Sequence, residues 1–426
     1  MKLTFKTIIA ALAILLIAGV VFAQGGKDSG ATLTSSGEPL QVWSFTDELQ
    51  KPLDHFKEAS GVEYEYTIVP HEQYMTKLRQ VLAAGTNVPD VFTGEAQFVR
   101  ELVDGGFWDN LSDAPYNADL SDMYKYAVDL ARDEDGKARG LTWQTTPGAV
   151  FYRRSLAKKY LGTDDPNEVA KYFKDMDTFL NTARMVKEKS GGQVKIIPGI
   201  GELMWIPYAA RKHAFIENGK FILDDVYLSY FDLVKTLRDE ELTAEAGQWS
   251  PAWFDGMKKD SNIMSYFGCT WFLHYVLKPN APDSKGDWGM TSPPSFYFWG
   301  GTWLGIYTKS NNKAPAWEFI KHFTLDPETM TWWAKETGDF ISNKTVVMKI
   351  KDTFSDPYLA GQNHYEYFAK LADKVDGSLV TGKDQEILNF IGQAVGDYID
   401  GNLTKEEAIK SIKDNVKNAY PDLIVE

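Results

Sequence analysis

Five tryptophans in this chain stand beside glycine or polar residues instead of inside apolar runs. Trp43 precedes Ser44, Trp143 precedes Gln144, Trp205 follows Glu202 by three positions, Trp271 closes the run Gly268-Cys269-Thr270, and Trp299 leads into Gly300-Gly301. They belong to an aromatic-rich composition, 13 Trp, 21 Tyr and 24 Phe in 426 residues, most of which core packing accounts for. An indole face lies flat against the C–H face of a pyranose ring, while Asp, Glu, Gln and Asn exchange hydrogen bonds with hydroxyls around its rim. Taken singly, each tryptophan is as readily a core residue as a contact. Their shared placement at strand ends and in extended segments is what points to a surface for a small polar ligand. The Gly300-Gly301 pair lets backbone approach a ligand, and equally forms an ordinary tight turn.

Signatures of other chemistry are missing. The chain has no HExxH, CxxC, P-loop lysine motif or GxSxG. Its histidines, at 55, 71, 213, 274, 322 and 364, never take the i, i+4 spacing of a helical metal pair, so no metal and no cofactor are expected. Asp and Glu total 59, too many for a glycosidase pair to be picked out, because that chemistry is defined by the separation of two carboxyls. A formal charge of −14 disfavours nucleic acid and anionic membrane surfaces, both of which need a basic face. Cys269 is the only cysteine, so no intramolecular disulfide forms and burial must stabilise the fold.

These side chains need a scaffold. Lys2 and Lys6, an apolar stretch from Ile8 to Val21 and Val-Phe-Ala at 21–23 read as a secretory signal peptide cleaved after Ala23. The stretch is shorter than the roughly 20 residues a bilayer requires. Gln24 stands where a lipoprotein would carry cysteine, so no direct membrane anchor is expected and the mature protein is expected in the periplasm. Residues 24–38, rich in Gly and Ser, read as a flexible tether. The length predicts more than one core. LQVWSF at 40–45, VEYEYTIV at 62–69 and VPDVFT at 88–93 read as strands, with helices over 47–60 and 72–85 closed by Gly61 and Gly85. That alternation predicts a doubly wound α/β unit with its ligand beyond the carboxyl ends of the strands. Residues 114–135 read as helical. Three stretches without continuous period, 138–154, 287–310 and 332–346, read as passages between two lobes.

The chain resembles family 1 of the extracellular solute-binding proteins that serve ABC sugar importers, the family of the maltodextrin-binding protein. Five segments carry the likeness in order: VWSFTDELQKPLDHFKEASGVEYEY, VLAAGTNVPDVFTGEAQFVRELVDGGFWDNLSD, GLTWQTTPGAVFYRRSLAKKYLG, IENGKFILDDV and AWEFIKHFTLDPETM. The resemblance implies a two-lobed α/β periplasmic-binding-protein fold of type II, each lobe a mostly parallel sheet flanked by helices, with three inter-lobe crossings. The first lobe is expected over 39–146 plus 300–330 and the second over 147–299 plus 331–426. It also implies contacts from Trp43, Glu95, Trp143, Gln144, Glu202, Trp205, Trp271, Trp299, Gly300 and Asp339. Gln144 departs from the acidic residue that many relatives carry at that place. The implied partners are a small-molecule sugar and the membrane permease subunits of an ABC importer, met by a monomer.

Two rival classes are retained as expectations. A secreted glycoside-active enzyme would use the same Trp-rich cleft with two carboxylates. A binder of a charged solute, such as a phosphoester, amino acid or polyamine, would concentrate charge there, and for an anion Arg153 and Arg154 are the only adjacent arginine pair.

Overall fold

A computed structural model describes residues 32–426. The leader expected at 1–23 and residues 24–31 of the tether lie outside the described residues. Ten strands run in chain order: β1 Leu40–Ser44, β2 Tyr64–Ile68, β3 Val91–Glu95, β4 Leu141–Thr142, β5 Ala149–Arg153, β6 Ile216–Glu217, β7 Lys220–Phe221, β8 Ser265–Gly268, β9 Trp288–Thr291 and β10 Thr302–Ile306. The helices that position the site are α1 Gln50–Ser60, α2 His71–Ala84, α3 Val99–Asp104, α4 Trp205–Ala210, α5 Asp225–Asp239, α6 Lys313–Thr324, α7 Pro327–Thr337, α8 Asp384–Ile399 and α9 Lys405–Ala419.

The first lobe holds a five-stranded sheet of order β2-β1-β3-β10-β4. β1 runs parallel to β2 and β3, and β10 inserts antiparallel between β3 and β4. Its two faces follow from strand alternation. Leu40, Val42 and Val91 are packed with Leu53, Phe56, Phe319 and Phe323 of α1 and α6. Phe92 and Trp108 are packed with Tyr74, Leu78 and Leu102 of α2 and α3. Gly61 and Gly85 end α1 and α2 in the left-handed region, as their spacing predicts.

The second lobe centres on a three-stranded sheet, β8-β5-β9, in which both pairings are antiparallel. A mostly parallel sheet is expected from the resemblance, and among the described residues parallel pairing here is confined to single bridges, Lys195 with Ile263, Ile197 with Thr243 and Lys220 with Ile424. The reason is directional: β5 leaves the first crossing, whereas β9 leads into the second, so neighbours must run oppositely. α5, α8 and α9 cover this lobe, tied in by an Arg211–Asp384 ion pair of 2.7 Å with both side chains buried.

The three crossings lie side by side as a ribbon. Gln144 bridges Ile341, Pro147 bridges Phe298, Thr145 N donates to Phe340 O, and Gly148 N donates to Tyr297 O. Lobe boundaries differ from expectation in two places. α7 packs on the first lobe, with Trp332 stacked on His55 at 4.2 Å and Lys51 paired to Glu336 at 2.6 Å, so that lobe runs past the expected 330 and the third passage begins at Gly338 and not at 332. Ser36 N donates to Asn312 Oδ1 and Ala314 N to Thr34 O, so residues 34–38 are docked on the start of α6 and do not form tether. Residues 114–135 hold only a short helix, Lys125–Asp129, because turns around Asp113, Asp119 and Asp133 interrupt it. Among the described residues no helix is long and apolar enough to cross a membrane.

Candidate ligand-binding site

Between the lobes lies a cavity of about 450 Å³. Its first-lobe wall comes from the ends of β1 and β3 and the start of α2, through Phe45, Thr46, Glu48, His71, Glu95 and Gln97. Its second-lobe wall is Trp205 at the start of α4, Gln248 and Trp249 from a loop, and Trp271 and Tyr275 after β8. The crossings close the floor with Gln144, Trp299, Gly300 and Gly301. Strand ends supply the first wall because a parallel sheet points its carboxyl termini at one edge.

Four indoles dominate. Trp205 stacks on Trp299 at 5.6 Å, Trp249 stacks on Trp271 at 6.1 Å, and Trp271 meets Trp299 edge to face at 4.8 Å. Trp249 remains 47% exposed, an unusual state for so large an apolar side chain beside a cavity. Gln144 Oε1 and Trp205 Nε1 are buried with no hydrogen-bond partner within the protein.

Gly300 shapes the floor. Its φ of +72° suits glycine, and a Cβ there would lie 3.1 Å from Trp271 Nε1 and 3.4 Å from Glu95 Oε1. Tyr126 and Thr146 both donate to its carbonyl, at 2.9 and 3.0 Å. The Trp271 indole N–H donates to Trp299 O at 3.2 Å. Glu95 accepts from Gln97 N at 2.8 Å, and burial pushes its carboxyl up to about 7.

Six of the ten residues expected to make contacts line this cavity: Glu95, Gln144, Trp205, Trp271, Trp299 and Gly300. The other four are displaced from its wall. Trp43 packs against the core beside β1, and Phe45 and Thr46, two and three residues on, take the wall position. Trp143 is buried against Phe323 at 4.9 Å, because Gln144 beside it turns toward the cavity and neighbouring side chains in an extended segment face opposite ways. Glu202 sits behind the wall, accepting from Trp253 Nε1 at 2.6 Å, Phe267 N at 2.7 Å and Gln248 Nε2 at 3.3 Å, and burial raises it to about 7. Asp339 is fully buried, 3.3 Å from Trp333 Nε1. Trp249, flanked by Gly247, Gln248, Ser250 and Pro251, stands in the same kind of polar, glycine-containing setting as the five tryptophans and lines the cavity with three of them. Arg153 and Arg154 lie elsewhere. Arg153 is buried and donates to Met257 and Lys258 carbonyls, and Arg154 donates to Trp288, Asp164 and Leu359 carbonyls, so neither is a solvated or ligand-facing cation.

Glu48, His274 and Asp339 form a buried chain deep in the cleft. His274 Nε2 is 3.0 Å from Glu48 Oε1 and Nδ1 is 3.9 Å from Asp339 Oδ1. One ligand atom from each of the three lies within 4.8 Å of the others, close enough to hold a metal ion, and the two ring nitrogens facing different carboxylates equally suit proton sharing. Burial pushes Glu48 up to about 8 and Asp339 to about 6, and pushes His274 down.

A model of the bacterial extracellular solute-binding proteins matches residues 52–361, most of the chain. The chain belongs to this family. The solute-binding protein is 23% identical over 336 residues to the erythritol/L-threitol-binding protein of Mycolicibacterium smegmatis, covering 70% of this chain and 67% of that protein. In solved structures it is similar to the ABC-transporter-associated binding protein of B. animalis subsp. lactis in complex with beta-1,6-galactobiose, at TM-score 0.75 and 19% identity over 89% of this chain and 97% of that one. It is also similar to the ABC transporter solute-binding protein of Thermotoga lettingae bound with alpha-D-tagatose, at TM-score 0.73 and 19% identity over 89% and 99% of the two chains. These likenesses establish the two-lobed fold of this solute-binding protein.

Proposed function

We propose that this protein captures a sugar or a related polyol in the inter-lobe cavity and presents it, as a monomer in the periplasm, to the permease of an ABC importer. The carrying observation is the array of four indoles facing Glu95, Gln97 and Gln144 across a cavity of about 450 Å³. Flat apolar faces beside the planar amides of Gln97, Gln144 and Gln248 match a polyhydroxylated ring. The relatives from Mycolicibacterium smegmatis and Thermotoga lettingae, named for a polyol and a ketose, support the same ligand class. Capture works by closure: ligand touches both walls, a set of contacts that separated lobes cannot make together. No step of catalysis is part of this reading.

A thermal-shift screen across monosaccharides, oligosaccharides and polyols tests it. A ligand at 100 times its dissociation constant adds roughly 2.7 kcal/mol of stability, which a melting curve resolves. A flat response to every compound would defeat the proposal, and turnover of any glycoside in the same incubations would defeat its non-catalytic part.

A further inference from the structure

The charge on the cavity wall is one-sided. Glu48, Glu72 and Glu95 line it, and no lysine or arginine does. Lys51 and Lys278 line a neighbouring pocket that shares Glu48, Trp249 and Tyr275, and both are engaged, with Glu336 at 2.6 Å and Asp356 at 2.7 Å. A ring of neutral hydroxyls is satisfied by amides, and Gln97, Gln144 and Gln248 provide them. Glu48 is already joined to His274 at 3.0 Å and Glu72 is exposed, which leaves the buried Glu95 carboxylate in excess of what a neutral sugar requires, and burying a carboxylate without a counter-charge is costly.

Resting on the sugar reading above, we infer that the ligand is an amine-bearing sugar whose ammonium group sits between the Glu95 carboxylate and the indoles of Trp271 and Trp299. Gly300 makes the juxtaposition: the point where its side chain would begin is within 3.4 Å of Glu95 Oε1 and 3.1 Å of Trp271 Nε1. Trp271 and Trp299 meet edge to face at 4.8 Å, and the Trp249 ring lies 16° from parallel to Trp271, so indole surfaces enclose this corner from several directions. Aromatic faces carry negative electrostatic potential and attract a cation held over them. Glu95 accepts from backbone N–H groups of Gln97 and Ala96, and among the described residues no basic side chain pairs with it. An ammonium supplies that missing charge.

Titration calorimetry and tryptophan fluorescence at pH 7.5 test the inference on matched trios. These are glucosamine, glucose and N-acetylglucosamine, their galacto and manno counterparts, and the disaccharides of chitosan, cellulose and chitin. The expected result is that in at least one trio the free amine binds about tenfold or more tightly than its neutral parent, and that N-acetylation erases the gain. In Glu95→Gln the ratio falls toward one. Neutral members binding as tightly as amines in every trio would overturn the inference and leave the sugar reading standing. Binding by no member would overturn both. A preference that survives in Glu95→Gln would remove Glu95 from the role. The wild-type ratio decides the ligand class even if the variant does not fold.

Discussion

Trp205 and Trp299 stack with ring centroids 5.6 Å apart and planes 23° from parallel, although one comes from a second-lobe helix and the other from the irregular second crossing between β9 and β10. The platform therefore straddles the moving junction. Trp299→Ala is expected to weaken binding by about 2 kcal/mol or more, the loss typical of a central aromatic anchor. Trp143→Ala removes a core ring instead, so it should cost about 3–5 kcal/mol of stability while the folded fraction keeps its affinity. Calorimetric titration and melting of both variants separate the two outcomes, and the reverse pattern would exchange their roles.

Gly300→Ala forces a side chain into the left-handed region and toward Trp271 and Glu95. The backbone term alone is about 1–2 kcal/mol. Both the melting temperature and the affinity are expected to fall, whereas a silent variant would show that the floor of the cavity yields freely.

Glu202 holds three donors behind the second wall. In Glu202→Gln one acceptor becomes an N–H group that cannot serve both Trp253 Nε1 and Phe267 N. A loss of about 1–3 kcal/mol in unfolding free energy is expected. Denaturant titration measures it, and an unchanged midpoint would contradict the network.

Stability should fall as pH rises above neutrality. Burial raises Glu48 to about 8, and Glu95 and Glu202 to about 7, from an ordinary value of 4.5. The folded chain keeps protons that the unfolded chain has released, so this contribution is complete below the ordinary value and is lost as pH climbs through 7 to 8. His274 and His364 act in the opposite sense, because their folded values are lowered, but that effect is spent once pH passes their ordinary value of 6.5. Melting temperatures from pH 7 to 9 should therefore decline, with a shallower slope in Glu48→Gln. A rising or flat curve in the wild type would contradict the burial of these carboxyls.

The first α/β unit was fully legible because Leu49, Leu53 and Phe56 keep helical spacing and Gly61 and Gly85 close both helices. The crossings were legible from their lack of period. What misled was side-chain direction. Trp143 and Gln144 are adjacent in an extended stretch, so only one of them faces the cleft, and composition alone does not say which. Glu202 is three residues before the start of the helix that carries Trp205, and its three donors come from Gln248, Trp253 and Phe267, distant in sequence. Trp249 lies in an irregular loop with φ of +65°, where no periodicity marks it.

β10 has one more consequence. It completes the first sheet between β3 and β4, yet it is made of residues 302–306, some two hundred positions after β3. A chain emerging from the ribosome thus holds β1 to β3 with an open edge until nearly three quarters of it exists. Contacts so far apart close slowly. The edge of β3 therefore waits, unpaired, for a segment made long after the strand itself, and the first lobe closes only when most of the second has already been synthesised.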